Sequence, residues 1–424
     1  MSRRRIAVIG SGVAGLTASH ILQREADVTL YEAADRLGGH ADTHQVLDAA
    51  GQPISVDTGF IVHNERTYPH LRRLFSELQV ATQESEMSMS VRCGGCGLEY
   101  AGSRSLGGLF PSVANVTNRR YLQMLSEVIR FHRRAKALLA ESGDLGAGEA
   151  ETVAEFLTRG RFSEYFRMHF LTPLISAVWS CAPDLAGRYP ARYLFQFLDH
   201  HGMLAVTGSP QWRTVVGGSA SYVERAAKHL SAVLTSTAVR SVSRLESGVG
   251  VIDDSDGHTR FDAVVIATHP DQALAILNRP TDAERRILGA ISYSRNPTTL
   301  HTDTSALPTL ARAQSSWNYY LPSCQAPASA VHVTYDMNRL QRLDSDTRYL
   351  VTLNDDGAVA EQSVVARMVY EHPIFTPRSV AAQAGLPALN DDRIAFAGAY
   401  HGWGFHEDGC RSGVAAARSL GVTW

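Results

Sequence analysis

Ile6-Ala-Val-Ile-Gly-Ser-Gly-Val-Ala-Gly-Leu16 is the stretch that decides the fold of this chain. The apolar run Ile6 to Ile9 reads as a buried first strand. Gly10, Gly12 and Gly15 then turn it into a helix predicted over Val13 to Arg24, whose N-terminal N–H groups point at a phosphate. Gly10 permits the tight turn, Gly12 lets a pyrophosphate approach the backbone with no Cβ in the way, and Gly15 lets the helix pack closely on the strand. Ser11, Val13 and Ala14 complete the loop around the anion. Val28-Thr-Leu-Tyr31 is a second apolar strand, and it delivers Glu32 about 20 residues downstream, where a carboxylate accepts the hydroxyls of an adenosine ribose and repels a 2′-phosphate.

The cradle alone leaves FAD and NAD open. Arg36-Leu-Gly-Gly39 follows the ribose acid directly and forms a second glycine turn that can close over the same pyrophosphate from the other side. A simple NAD site has no use for such a turn, so FAD is the expected cofactor. No second nucleotide fingerprint follows, which argues against reductases that pass electrons between two dinucleotides and a cysteine pair.

At these residues the chain resembles the flavin-containing amine oxidase and phytoene desaturase superfamily. The resemblance implies an α/β fold: a glutathione-reductase-type FAD-binding Rossmann domain with a second, mixed α/β substrate domain, amine-oxidase-like. It makes Glu32 to Gly39, with Arg36 and Gly38, the second FAD contact, followed by His40 where many members carry a basic residue. Asp57-Thr-Gly-Phe60 resembles the loop beside the flavin ring, with Gly59 and Phe60 as contacts. Arg393-Ile-Ala-Phe-Ala-Gly-Ala-Tyr400 reads as a last strand running into a turn at Gly398 and Ala399. Gly404, Phe405 and His406 then open a terminal helix, whose positive N-terminal dipole would stabilise charge on a reduced flavin. The same resemblance places Val239 against the adenine, Ala267 and Thr268 near the cofactor, and Trp317 to Tyr319 with Trp403 at the flavin face.

A narrower resemblance runs along nearly the whole chain. Gly39-His-Ala-Asp-Thr43, Gly59-Phe-Ile-Val-His-Asn64, Thr67-Tyr-Pro69, Ala177-Val-Trp-Ser-Cys181, Gly208-Ser-Pro-Gln-Trp212, Leu300-His-Thr-Asp303, Ser316-Trp-Asn318 and Gly404-Phe-His-Glu-Asp-Gly409 resemble FAD-dependent oxidoreductases similar to the flavin domain of plant cyclopropane fatty acid synthases. That implies a lipid-linked redox enzyme with an acyl-lipid or other small-molecule substrate. A lipid methyltransferase partner and a transient membrane-surface contact are further expectations. Amine oxidation with O2 and a non-catalytic flavoprotein serving a lipid methyltransferase are the alternatives.

Composition fits a folded enzyme. The chain has 424 residues, 44% hydrophobic and 19% charged, enough for two or three domains. A net charge of -2 gives no electrostatic case for nucleic acid. The apolar run behind Arg3-Arg4-Arg5 is a strand and too short for a signal core, and Leu171 to Ala182 is interrupted by Thr172, Pro173 and Ser176. A cytoplasmic location is expected.

The five cysteines, Cys93, Cys96, Cys181, Cys324 and Cys410, make no disulfide framework. Cys93-Gly-Gly-Cys96 reads as a turn between two strands, since a zinc or redox role needs a second ligand pair that the sequence does not offer. His406, Glu407 and Asp408 are adjacent at a helix start, where acids cap the helix or meet the cofactor, and no metal is expected there.

The organisation is interleaved: 1–90, 205–275 and 385–424 form the FAD domain, and 91–204 and 276–384 the substrate domain. Val116 to Leu139 and Thr152 to Phe170 are predicted helical, as are Tyr222 to Leu230 and Asp271 to Ala290. Val233 to Val242 and Phe261 to Ala267 are predicted strands, Pro297 to Leu353 supplies a substrate-side sheet, and Glu141 to Glu151 is expected to be a flexible loop. Lys136 and Lys228 are the only lysines, so the lysine that many amine oxidases hold on that sheet is missing. His301, oriented by Asp303, is the candidate base in its place; a strand-end histidine satisfied by backbone is the plainer alternative. Trp179, Trp212, Trp317, Tyr319, Tyr320 and Trp403 are candidates for an apolar channel, with an aromatic core as the competing reading.

Overall fold

A computed structural model describes residues 3–48, 50–102, 106–141, 150–205, 208–324 and 330–424. The expected loop over Glu141 to Glu151 falls mostly outside these.

The strand Arg4–Ile9 lies at the centre of a five-stranded parallel sheet, flanked by Ala26–Tyr31 and Ala263–Ile266, with Ala232–Leu234 and Ile394–Phe396 outermost. Its side chains alternate between two cores, as strand geometry requires. Ile6 and Val8 join the core under the helix Val13–Leu22, while Ala7 and Ile9 join the one under the antiparallel meander Val239–Arg244, Val249–Asp253 and His258–Phe261. Covering both faces explains why the first strand reads as an unbroken apolar run.

The helix His406–Ser419 returns the C-terminus onto Val13–Leu22. Two glycines permit that contact: a Cβ at Gly413 would stand 2.4 Å from the Ala14 carbonyl oxygen, and one at Gly409 would stand 2.6 Å from Val13. The helix starts are thereby held side by side at the carboxyl end of the sheet, where parallel α/β sheets bind ligands.

A second, seven-stranded mixed sheet runs in the order Val364–Ile374, Ser292–His301, Leu350–Leu353, Val333–Asp336, Trp317–Leu321, Met89–Cys93, Glu99–Ala101. The helices Arg119–Ala140, Thr172–Trp179 and Ala191–His200 pack with it around the largest core.

Two sequence-based elements divide. Val233 to Val242 is two strands in different sheets, Ala232–Leu234 and Val239–Arg244, because the intervening residues leave the parallel sheet to run beside Glu32. Asp271 to Ala290 is two helices, Pro270–Ile276 and Asp282–Leu288. Pro280 and the left-handed Arg279 (φ 60°) separate them, and Thr281 caps the second.

Candidate cofactor and substrate site

Each glycine of the first turn does what its place demands. Gly10 has φ +97°, and a Cβ there would lie 2.8 Å from the Ala267 carbonyl oxygen; one at Gly15 would lie 1.9 Å from the Gly10 carbonyl oxygen. A Cβ at Gly12 would meet nothing within 4 Å. Gly12 is the N-cap of the helix and offers no side-chain acceptor, so the first N–H groups of Val13 and Ala14's turn face this opening uncapped.

Ser11 knits the two glycine turns together. Its N–H and hydroxyl donate to Glu32 Oε2 at 2.9 and 2.5 Å, and its Oγ accepts from the Gly38 N–H at 3.0 Å. Glu32 Oε1 accepts from the Ala34 N–H at 2.9 Å, leaving room in a carboxylate's roughly four acceptor positions for a ribose hydroxyl. Gly38 and Gly39 have φ +110° and +58°, and a Cβ on Gly39 would stand 3.3 Å from the Gly12 Cα, so the second turn folds over the first. The Arg36 guanidinium binds the Gly39 carbonyl oxygen at 2.9 Å and the Asp42 carboxylate at 2.8 Å, bracing this turn.

The remaining predicted contacts of the nucleotide end converge on the same place. The Ala267 N–H donates to the Ile9 carbonyl at 2.8 Å, and Thr268 lies 3.3 Å from a Cβ built on Gly10. The chain leading to Val239 hydrogen-bonds along Glu32 and Ala34, through Thr237 and Ser236 at 2.9 and 2.8 Å. Gly59 is pressed on His40, whose carbonyl accepts the Phe60 N–H at 2.6 Å. At the other end, the Gly398 N–H donates to Ser412 Oγ, and the Gly404 N–H (φ +92°) to the Ala399 carbonyl.

Phe60 and His406 stack at 3.7 Å between ring centroids, and His406 Nε2 lies 3.2 Å from the Tyr222 hydroxyl. Asp408 caps the terminal helix through the Phe405 N–H and pairs with Arg411 at 2.8 Å. Glu407 behaves differently from the expectation. Its carboxylate crosses to the N-terminus of the helix Pro69–Glu77, accepting from the N–H groups of His70 and Leu71 and meeting His70 Nδ1 at 2.6 Å.

The expected contact His40 lies against the edge strand Val364–Ile374, in a cluster with Tyr370 and His372, which the sequence reading missed. The His40 ring lies 5.1 Å from Tyr370 and 5.4 Å from His372, and Tyr370 donates to Asp42 at 2.8 Å. Burial pushes His40 down to about 4 and His372 down to about 3, and holds His406 well below the ordinary imidazole range; all three stand neutral at pH 7. All three residues keep part of their surface exposed. The signal was the period-two spacing of Tyr370 and His372, which puts both on one face of a strand.

Beside it an aromatic wall rises. Phe197 stacks on Phe405 at 4.8 Å and meets Trp179 at 4.6 Å; Trp179 Nε1–H donates to the Trp403 carbonyl at 3.0 Å. Trp403 and Phe405 line a cleft of about 390 Å³ together with Arg66, Tyr68, His200 and His201.

Three expectations are corrected. His301 is 0% exposed; its Nε2 lies 2.7 Å from Thr352 Oγ1 and its Nδ1 accepts the Asp303 backbone N–H at 3.1 Å. The Asp303 carboxylate instead accepts from the N–H groups of Ser305 and Ala360, so the two side chains form no acid–base pair. His301 ends the strand whose other end, Tyr293, stacks on His269, roughly 25 Å away at a strand's rise per residue. In the Trp317 segment the partly exposed Trp317 meets Tyr335 edge-on at 5.4 Å, whereas Asn318 is bonded to Ser90, Ser315 and Thr334 and Tyr319 is buried. Of the candidate channel aromatics, Trp403 lines the cleft, whereas Tyr320 faces Arg92 at the surface. Finally, Cys93-Gly-Gly-Cys96 is the expected turn between two strands, but the fold brings it a second ligand pair, Cys324 and His169.

Fold and site together define a dinucleotide-binding oxidoreductase with its cofactor cradle built from both ends of the polypeptide. Residues 13–420 match the family model for flavin containing amine oxidoreductases, and the chain belongs to that family. Its cofactor is FAD, and it is an FAD-dependent oxidoreductase. The open face at Gly12 and the carboxylate of Glu32 fit that group. Among curated proteins, it is 26% identical over 327 residues to a coproporphyrinogen III oxidase of Mycobacterium tuberculosis, covering 69% of this chain and 66% of that protein's length. Among solved structures, cyclohexylamine oxidase from Brevibacterium oxydans superposes with a TM-score of 0.70 at 19% identity, covering 99% of this chain and 98% of that one. A CLA-producing fatty acid isomerase from P. acnes gives 0.71 at 16% identity, covering 98% of both. No helix among the described residues is long and apolar enough to cross a membrane.

Proposed function

We propose that this enzyme desaturates or otherwise oxidises a carbon–carbon bond of an acyl-lipid substrate. The observation that carries the reading is the pair Trp403 and Phe405 at the cleft, backed by the buried rings of Trp179 and Phe197, on a scaffold whose two lysines lie on other elements: Lys136 on Arg119–Ala140 and Lys228 just past the helix Ala220–Ala227. Bound FAD supplies a hydride acceptor.

The chain's own residues do the rest. Phe405 and Trp403 offer apolar surface on which an acyl chain can lie, in a cleft otherwise lined by polar residues such as Arg66 and Asp199. The uncapped start of Val13–Leu22 and Glu32 bind the pyrophosphate and ribose. Removing a hydride from one carbon leaves a proton to be taken from its neighbour. His40 stands neutral, hydrogen-bonded to the Glu371 backbone, and a neutral imidazole keeps one ring nitrogen as an acceptor for that proton. The fatty acid isomerase of the same fold supports an acyl substrate, and the lipid methyltransferase partner rests on the resemblance of the chain's motifs to the flavin domain of plant cyclopropane fatty acid synthases.

Anaerobic mixing of the yellow protein with unsaturated and saturated fatty acyl lipids, and in parallel with alkylamines and a diamine, tests it. Bleaching of the flavin band by acyl lipids and not by amines is expected. Bleaching by amines alone returns the enzyme to amine oxidation, the second reading, and no bleaching by either leaves the non-catalytic flavoprotein.

A further inference from the structure

The cysteines of the substrate region form a cluster that the redox site does not use. Cys93, Cys96 and Cys324 and the ring of His169 bring one ligand atom each to within 4.8 Å of one another. They come from four places in the fold: the end of strand Met89–Cys93, the turn after it, the segment following strand Trp317–Leu321, and the helical region. Three thiols and an imidazole are a donor set of four-coordinate structural zinc, whose bonds of about 2.3 Å to sulfur and 2.0–2.1 Å to nitrogen require donors under about 4 Å apart. Cys96 Sγ already lies 3.4 Å from His169 Nε2.

The surroundings are shaped for this convergence. Cys93 and Cys96 lie on a tight turn closed by the Gly97 N–H on the Cys93 carbonyl at 2.9 Å and the Cys93 N–H on the Leu98 carbonyl at 2.8 Å, with Gly97 at φ +70°. The Gly94 N–H donates to the Leu321 carbonyl at 2.8 Å, fastening the turn to the strand that leads to Cys324. A Cβ at Gly95 would stand 2.8 Å from the Cys324 nitrogen and 3.1 Å from its sulfur, so only glycine lets Cys324 come this near.

His169 is 1% exposed and its orientation is fixed from behind. Nδ1 lies 3.1 Å from the Tyr165 carbonyl oxygen, which makes it the protonated nitrogen and turns the lone pair of Nε2 toward the thiols. The residue sits in a π-helical turn, Arg167–Leu171, a local widening that occurs often at functional sites. Tyr165 stacks on the ring at 4.0 Å, and the Tyr100 hydroxyl holds the His169 carbonyl at 2.7 Å. These contacts hold the ring as the outer partners of a metal-ligating histidine do.

We propose that Cys93, Cys96, His169 and Cys324 bind one zinc ion, which clips the helical region to the edge of the substrate sheet. Four protein ligands close the coordination sphere, so the ion is structural. Binding releases the thiol protons to solvent, through the exposed Cys96.

The test uses the full-length, FAD-loaded protein, purified without chelator and with no histidine tag. Elemental analysis is expected to give about one zinc per chain, released when the thiols are titrated with a mercurial. Cys96→Ser with Cys324→Ser lowers the zinc content at least tenfold while FAD remains bound, and Cys181→Ser leaves zinc unchanged. Cobalt added to the zinc-depleted protein gives tetrahedral d–d bands to the red of the flavin absorption, a readout on the unmutated chain. Zinc below a tenth of stoichiometry with no cobalt bands, or a Cys93–Cys96 disulfide in freshly isolated protein, overturns the proposal.

Discussion

Gly413 lies against Ala14 so closely that a Cβ would stand 2.4 Å from the Ala14 carbonyl oxygen. Through this contact the last helix of the chain is set beside the first, and the N-terminus at His406 comes to the same end of the sheet as the glycine turn. A side chain at 413 must push the two helices apart. Gly413→Leu is expected to yield protein with less than a tenth of the wild-type flavin content and a Tm lower by several degrees, read from the flavin absorbance ratio and thermal melting. Retention of full flavin would show that the two helix starts are not both needed to hold it.

Glu32 is the one carboxylate tying Ser11, and through it Gly38, to the cradle. Hydrogen bonds to a charged group contribute about 1.5–3 kcal/mol, and about 1.4 kcal/mol is a tenfold change in affinity. Glu32→Ala is therefore expected to weaken FAD binding roughly 10- to 100-fold, measured by titrating apoprotein with FAD. FMN, which has no adenosine ribose, should bind both proteins alike.

The nucleotide half of the site was legible because backbone demands select residue types: Gly10, Gly12 and Gly15 each answer a steric requirement visible in the string, and Glu32 follows a strand at a fixed distance. The cluster around His40 was not. His40 meets Tyr370 and His372 only because Val364–Ile374 pairs with Ser292–His301 at the edge of the other sheet, a register that local pattern does not encode. The same holds for Cys96 and Cys324, which are 228 residues apart and meet only because Trp317–Leu321 pairs with Met89–Cys93. His301 shows the opposite failure: a histidine with an acid two residues on reads as chemistry, yet tertiary burial between sheet neighbours makes it structural.

His301 therefore belongs to stability rather than turnover. Removing it strands the Asp303 N–H, takes one of the Thr352 hydroxyl's two partners (Thr334 Oγ1 remains at 2.8 Å) and leaves a cavity, a loss of about 1–3 kcal/mol for an unsatisfied buried group. His301→Ala is expected to lower Tm by several degrees while the rate of flavin reduction per bound flavin stays within twofold of wild type. His40→Gln should do the reverse, retaining Tm and FAD and slowing reduction at least tenfold. A collapse of the reduction rate in the His301 variant at unchanged Tm would restore it as the base.

Acid should unfold this protein through its buried histidines. Burial lowers His63, His201, His301 and His401 each to about 4, against about 6.5 in an unfolded chain. Between pH 6.5 and 4 the unfolded chain binds protons that the folded one refuses, so this stability is present above 6.5 and is lost as pH falls through 4. Asp57 and Asp408 act in the opposite sense: burial raises both to about 6, so their contribution is present below about 4 and is lost as pH rises through 6. Four imidazoles outweigh two carboxylates. Melting followed by flavin fluorescence at fixed ionic strength should show Tm level from pH 8 to 6.5 and falling steeply from 6 to 4. A Tm that holds or rises on acidification would mean that these histidines are charged inside the folded protein.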